Sequence, residues 1–139
     1  MIFIFIYYNH SMQLNIERTK STPEVKYDPI NQSITLDGRC LERDENFWNE
    51  VHDGIQKLCE NQLTQTLNFK LEYISTATIK DIKKILTTDT KALGLQPLII
   101  NWLYEEDDED MLSKGEDYQK TAALLSHIKK RENLAVAEI

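Results

Sequence analysis

The stretch LNFKLEYISTATIKDIKKIL (67–86) changes its hydrophobic period half-way along. Leu67, Phe69, Leu71 and Tyr73 fall on one side of an extended chain, and Asn68, Lys70 and Glu72 fall on the other, the period-two signature of a strand. Beyond Ile74 the spacing widens. Ile79, Ile82, Leu86 and Leu93 recur at helical intervals, which predicts a helix over 76–92. A strand that passes into a helix through a turn bearing three hydroxyls (Ser75, Thr76 and Thr78) is half of a β-α-β unit, and the flanking sequence supplies the rest.

Downstream, LGLQP breaks the helix at Gly94 and Pro97. PLIINWLY (97–104) is apolar at almost every position, as in a strand covered on both faces. After an acidic run, 111–131 reads as a helix with Leu124, Leu125 and Ile128 as its apolar residues, and NLAVAEI (133–139) as a final strand. Upstream, NFWNEVHDGIQKLCENQ (46–62) places Phe47, Val51, Ile55, Leu58 and Cys59 on one helical face, with Asn46 as N-cap. DPINQSITLDG (28–38) reads as a turn and a short strand, 33–36, ended by Gly38, which forms a hairpin with 25–28. LNIE (14–17) reads as a further short strand, and Pro23 excludes a helix interior at 21–28. The sum is an α/β fold, a mixed four- to five-stranded sheet flanked by helices, with at least one right-handed parallel crossover.

The totals bound the function. The 139 residues fit one domain. A formal charge of -7 disfavours nucleic acid and anionic membranes as partners, since both demand a basic face. The opening MIFIFIYYNHS is too short for a membrane span and lacks the basic region of a signal peptide. Residues 1–11 are read as an upstream extension with Met12 as the natural start, an added edge strand being the other reading, and 12–139 as the single domain. Cys40 and Cys59 read as free thiols of a reducing cytoplasm. No spacing of His, Cys, Asp or Glu suggests a metal, and neither a cofactor nor a catalytic residue is assigned. A binding or regulatory module fits better than an enzyme.

Two features carry chemistry. Thr78-Ile79-Lys80-Asp81 is close to a capping box, so Thr78 is expected to cap the helix and Ser75 to shape the turn. That leaves Thr76 without a structural task. A phosphate there would meet the positive end of the helix, with Lys80 one turn away. The second is YEEDDEDM (104–111), six acids in succession. Its spacing fails as a calcium loop, since Met111 and Leu112 fall where an acid and a glycine belong. A solvated charge run or a docking patch remains.

STPEV (21–25), GRCLE (38–42), NFKLEYISTATIKDI (68–82) and NWLYEEDDEDMLSKGEDY (101–118) resemble, in order, the signature stretches of the SiaC-type biofilm-regulation phosphoproteins. The resemblance implies a cytoplasmic bacterial protein with a fold like that of anti-anti-sigma (STAS) domains. It implies a partner switch in which a serine/threonine kinase phosphorylates one threonine and a PP2C-type phosphatase reverses it. The unphosphorylated form is then expected to bind and activate a diguanylate cyclase, raising cyclic di-GMP. By position the switched residue is Thr76, with Thr78 and Ser75 as alternatives, because Ala77 and Thr78 replace two serines of the family pattern. The expected contact surface is Tyr73, Ser75, Thr76 and Lys80 with Glu105, Glu106 and Asp107. The competing reading is a constitutive adaptor in which Thr76 only caps the helix.

Overall fold

The computed structural model describes residues 13–90, 98–121 and 125–130. The chain runs β1 (Asn15–Ile16), β2 (Glu24–Asp28), β3 (Ser33–Cys40), α1 (Glu45–Glu60), β4 (Thr66–Ile74), α2 (Ile79–Thr87), β5 (Ile99–Tyr104), α3 (Glu109–Thr121) and β6 (Leu125–Lys130). One mixed sheet holds the strands in chain order, β1 to β6. The first three pair antiparallel, and β3, β4, β5 and β6 pair parallel, with a helix in each parallel connection. Five strands have five residues or more, and the two-residue β1 closes one edge.

The core follows from the two periods. Ile34 and Leu36 of β3, Leu67, Phe69 and Leu71 of β4, and Ile100 and Trp102 of β5 are buried on one side of the sheet. Against them α1 turns Phe47, Trp48, Val51, Ile55, Leu58 and Cys59, and α2 turns Ile82, Ile85 and Leu86. Each such side chain contributes about 1.5–3 kcal/mol of burial, so the alternation of 67–71 alone outweighs any single turn preference. Phe69, Leu71, Ile82 and Leu98 lie in the core as the pattern requires, while Lys70 is half-buried and Glu72 exposed. Gly115 lies so close to Trp102 that a Cβ there would sit 2.4 Å from the indole ring, which lets α3 press directly onto β5.

Several local expectations are corrected. Gly38 does not end β3. The strand runs on to Cys40, and Gly38 takes φ +139°, open to glycine, at a shift in register. Opposite it, Gly38 pairs with Leu71 and Arg39 with Tyr73, so Glu72 is the extra residue of a bulge. The bulge turns Tyr73 outward (44% exposed) and Ile74 inward, against the alternation read from the sequence. Helix α1 is capped by Asp44, not Asn46, because the Asp44 carboxylate accepts the Phe47 amide. The helix expected over 76–92 is shorter, Ile79–Thr87, and Leu93 falls outside the described residues. The single helix expected over 111–131 is instead α3 followed by strand β6, with Leu125 beside Ile100 and Ile128 beside Trp102 in the register. A short apolar run fits either period, and the open edge of β5 decides the matter. Leu124, the strand expected at 133–139 and the opening 1–11 lie outside the described residues.

Candidate functional site at the carboxyl edge of the sheet

In a parallel array the loops that follow the strands share one edge, where ligands and partners dock. Here those loops are 41–44 after β3, 75–78 after β4 and 105–108 after β5. Because β2 runs antiparallel to β3, the segment that leads into it, 17–23, lies at the same edge.

The hydroxyl turn is built on the end of β3. The Ser75 amide donates to the Cys40 carbonyl at 2.8 Å, and the Thr78 amide to the Ser75 carbonyl at 3.1 Å. The Thr78 hydroxyl, fully buried, donates to the Ser75 carbonyl at 3.0 Å, lies 3.4 Å from the Cys40 carbonyl and meets the Ser75 hydroxyl at 3.2 Å. Ser75 and Thr78 thus lock the turn. Thr76 and Ala77 between them are exposed, and no described residue hydrogen-bonds the Thr76 hydroxyl.

The expected cap is corrected. Thr78 occupies the N-cap position of α2 with helical rather than extended dihedrals, and its side chain makes no cap bond. Its hydroxyl is spent backwards on the turn. Asp81 does not complete a capping box, because its carboxylate accepts the Arg43 guanidinium at 3.1 and 3.3 Å and faces His52 Nε2 at 3.1 Å. An adaptor in which Thr76 caps α2 therefore lacks its cap bond.

Tyr73, Ser75, Thr76 and Lys80 follow one another along this strand end, turn and helix start, and all but the half-buried Ser75 are exposed. Glu105, Glu106 and Asp107 are exposed on the loop after the neighbouring strand. The acidic run divides by task. Asp108 caps α3 by accepting the Met111 amide at 3.0 Å, and its own amide closes the turn onto the Glu105 carbonyl. Glu109 and Asp110 occupy the first turn of α3, where the helix dipole favours acids. The Tyr118 hydroxyl, near the end of α3, reaches the Ile79 carbonyl at 3.4 Å, which ties α3 to the start of α2.

Sequence reasoning missed the buried polar centre beneath this edge. His52 of α1 bridges Asp81 of α2 and Asp89 just beyond it, all three buried, with its Nδ1 against Asp89 Oδ2. Gln56 donates to the other Asp89 oxygen at 2.9 Å. Both ring nitrogens face carboxylates. The available signal was His52 one residue beyond Val51 on the apolar face of α1, an ionisable group where a core residue belongs. Burial pushes the Cys40 thiol up to about 12, with Asp81 adding to the shift, and the Cys59 thiol likewise, with Asp89 and Glu60 adding. Neither is a reactive cysteine.

The geometry defines an α/β regulatory module whose exposed hydroxyl sits on a locked turn at the carboxyl edge of a mixed sheet. The chain belongs to the SiaC family of regulatory phosphoproteins, whose family model matches residues 16–130. Its fold is that of SiaC from Pseudomonas aeruginosa. In the crystal structure of the diguanylate cyclase SiaD with its activator SiaC, the matched chain superposes with a TM-score of 0.76 at 22% identity, covering 85% of this chain and 99% of that one. The apo form of SiaC matches with a TM-score of 0.68 at 22% identity, covering 84% and 98%. No curated protein matches the chain. No helix of the described residues is long and apolar enough to cross a membrane.

Proposed function

We propose that this protein is a non-enzymatic partner switch of the cytoplasm, controlled by reversible phosphorylation of Thr76, whose unphosphorylated form binds and activates a diguanylate cyclase. The observation that carries the reading is the division of labour among the three hydroxyls. Ser75 and Thr78 are spent on the turn, and Thr76 is exposed without a bond to any described residue. A kinase and a PP2C-type phosphatase must both reach the group they act on, and Thr76 meets that demand where buried Thr78 does not. Membership of a family of regulatory phosphoproteins, and the role of the P. aeruginosa SiaC as activator of SiaD, support the assignment of output.

A phosphate on Thr76 adds about -1.5 to -2 charges at neutral pH. It would stand at the start of a helix whose first amides no side chain caps, so the fold tolerates it. The cyclase surface that packs on Tyr73, Thr76 and Lys80 would not, since a misplaced interface charge costs several kcal/mol. The test is calorimetric titration of the purified cyclase from the same organism against phosphorylated and unphosphorylated protein. The unphosphorylated form should bind at least about a hundredfold more tightly. Equal affinities overturn the switch, and a phosphate mapped to Thr78 moves it by two residues.

A further inference from the structure

Between the segment leading into β2 and the end of β3 lies an open cleft of about 700 Å³ lined by Arg18, Thr19, Lys20, Arg39 and Leu41. Every charged residue lining it is a cation, in a chain whose formal charge is -7. Gathering three cations on one wall costs mutual repulsion that scattered placement would avoid. Arg18 is paired with Asp37 at 2.6 Å, whereas neither Lys20 nor Arg39 pairs with a carboxylate among the described residues.

The wall is rigidly built. The Thr19 hydroxyl accepts the Ser21 and Thr22 amides at 3.1 and 3.0 Å and meets the Thr22 hydroxyl at 2.6 Å, which fixes the loop that carries Lys20. The Leu41 amide donates to the Ser21 carbonyl and joins that loop to the end of β3. A Cβ at Gly38 would lie 3.1 Å from Arg18 Nε, so the glycine that permits φ +139° also lets the guanidinium lie over the strand.

The cleft adjoins the switch. Arg39 is the register neighbour of Tyr73 on the next strand, on the same side of the sheet. The Cys40 carbonyl, which receives the Ser75 amide, lies between Arg39 and Leu41 in the chain. Two arginines beside an exposed tyrosine and a half-buried leucine have the composition of a protein interface. The cleft is too open to strip water from a lone phosphate, and the net charge opposes a nucleic-acid backbone. We infer that Arg18, Lys20 and Arg39 receive the carboxylates of a glutamate- or aspartate-rich segment of the partner protein. This rests on the reading that the partner docks at the carboxyl edge. A phosphate on Thr76 would then oppose binding by competing for the same cations.

The probe is a labelled oligoglutamate peptide of about ten residues, followed by fluorescence anisotropy with the unphosphorylated full chain at about 20 mM and about 300 mM salt. It should bind at low salt and weaken as salt rises. The double variant Lys20→Glu/Arg39→Glu should lose at least about tenfold in affinity. Lys83→Glu/Lys84→Glu, which makes the same change in net charge on exposed positions of α2, should lose little. Equal losses in the two double variants, no binding by the unaltered chain, or displacement of the peptide by millimolar inorganic phosphate each overturn the inference. If the glutamate variant melts early, Lys20→Gln/Arg39→Gln takes its place with the same expected ordering. The cleft variant should also lose about tenfold in affinity for the unphosphorylated chain's cyclase partner, and unchanged affinity there overturns the inference. The peptide measurement involves neither kinase nor cyclase. Its failure leaves the Thr76 switch standing, and equal cyclase affinity of the two phosphoforms would leave the cleft standing.

Discussion

At the start of α1 the Asp44 carboxylate accepts the Phe47 amide at 3.1 Å, and at the start of α3 Asp108 does the same for Met111 at 3.0 Å. At the start of α2 the residue in the equivalent place, Thr78, turns its hydroxyl back onto the preceding turn and caps nothing. Helices α1 and α2 therefore begin by different means. The start of α1 is held from within by a local bond. The start of α2 is held from outside, through the Cys40 carbonyl, Arg43, the Tyr118 hydroxyl and the His52 bridge. A helix start fixed by tertiary contacts leaves its own first amides and its neighbouring hydroxyl available, which is what a modification site needs.

The largest effect should come from removing the outside support. His52→Ala leaves Asp81 and Asp89 buried without the imidazole between them, and breaking a buried pair in this way costs about 3–5 kcal/mol. Urea denaturation should show that loss. A cost below about 1 kcal/mol would mean that α2 stands without its bridge.

Alkali should act next, on Cys40 at the end of β3 and on Cys59 of α1. Cys40 and Cys59 are pushed up to about 12, chiefly by burial, from an ordinary value of 9.0. The raised folded value means that the native state keeps its protons while the unfolded chain loses them. Stability is therefore intact below about pH 9 and falls as pH rises from there towards about 12. Between about pH 8 and about pH 10.5 the loss should amount to about 2 kcal/mol for each thiol, about 4 kcal/mol for the two together. Cys40→Ala/Cys59→Ala should flatten that fall when unfolding is followed at several pH values, and an unchanged slope would assign the fall to other groups.

The two helix starts separate most directly under paired substitutions. Thr78→Val removes a hydroxyl that serves two carbonyls and should cost about 2 kcal/mol, as for buried groups left unpaired. Asp44→Ala removes a surface cap and should cost about 1 kcal/mol. Thermal melts that reverse this order would show that Thr78 behaves as an ordinary cap after all.

What the sequence made legible follows the same division. Where one element's own period carried the signal, as in 67–71 and on the Phe47–Val51–Ile55 face, the reading matched the structure. Tyr73 was placed inward because the Glu72 bulge depends on the register with Gly38, a property of two strands that neither displays alone. Thr78 and Asp81 were paired as a capping box because they are three residues apart. Their partners, Ser75 with Cys40 for one and Arg43 with His52 for the other, lie up to 38 residues away. The exposure of Thr76 was legible by elimination, since the neighbouring hydroxyls had structural tasks. The basic cleft was not, because Arg18 and Arg39 meet only through the pairing of β2 with β3.

The smallest effect on stability should come from Thr76 itself, and its smallness is the point. Its side chain is exposed and touches no described hydrogen-bond partner, so Thr76→Ala should change the unfolding free energy by less than about 0.5 kcal/mol. The same variant should bind the cyclase as the unphosphorylated chain does and take up no phosphate from the kinase. Thr76→Glu should be equally stable, yet bind more weakly, and by less than the phosphorylated protein does, because one carboxylate imitates a phosphate dianion only in part. A loss of about 1 kcal/mol or more on Thr76→Ala would mean that Thr76 secures the start of α2. Two residues would then share that task, the contrast with Asp44 would vanish, and the turn would have no hydroxyl to spare for a switch.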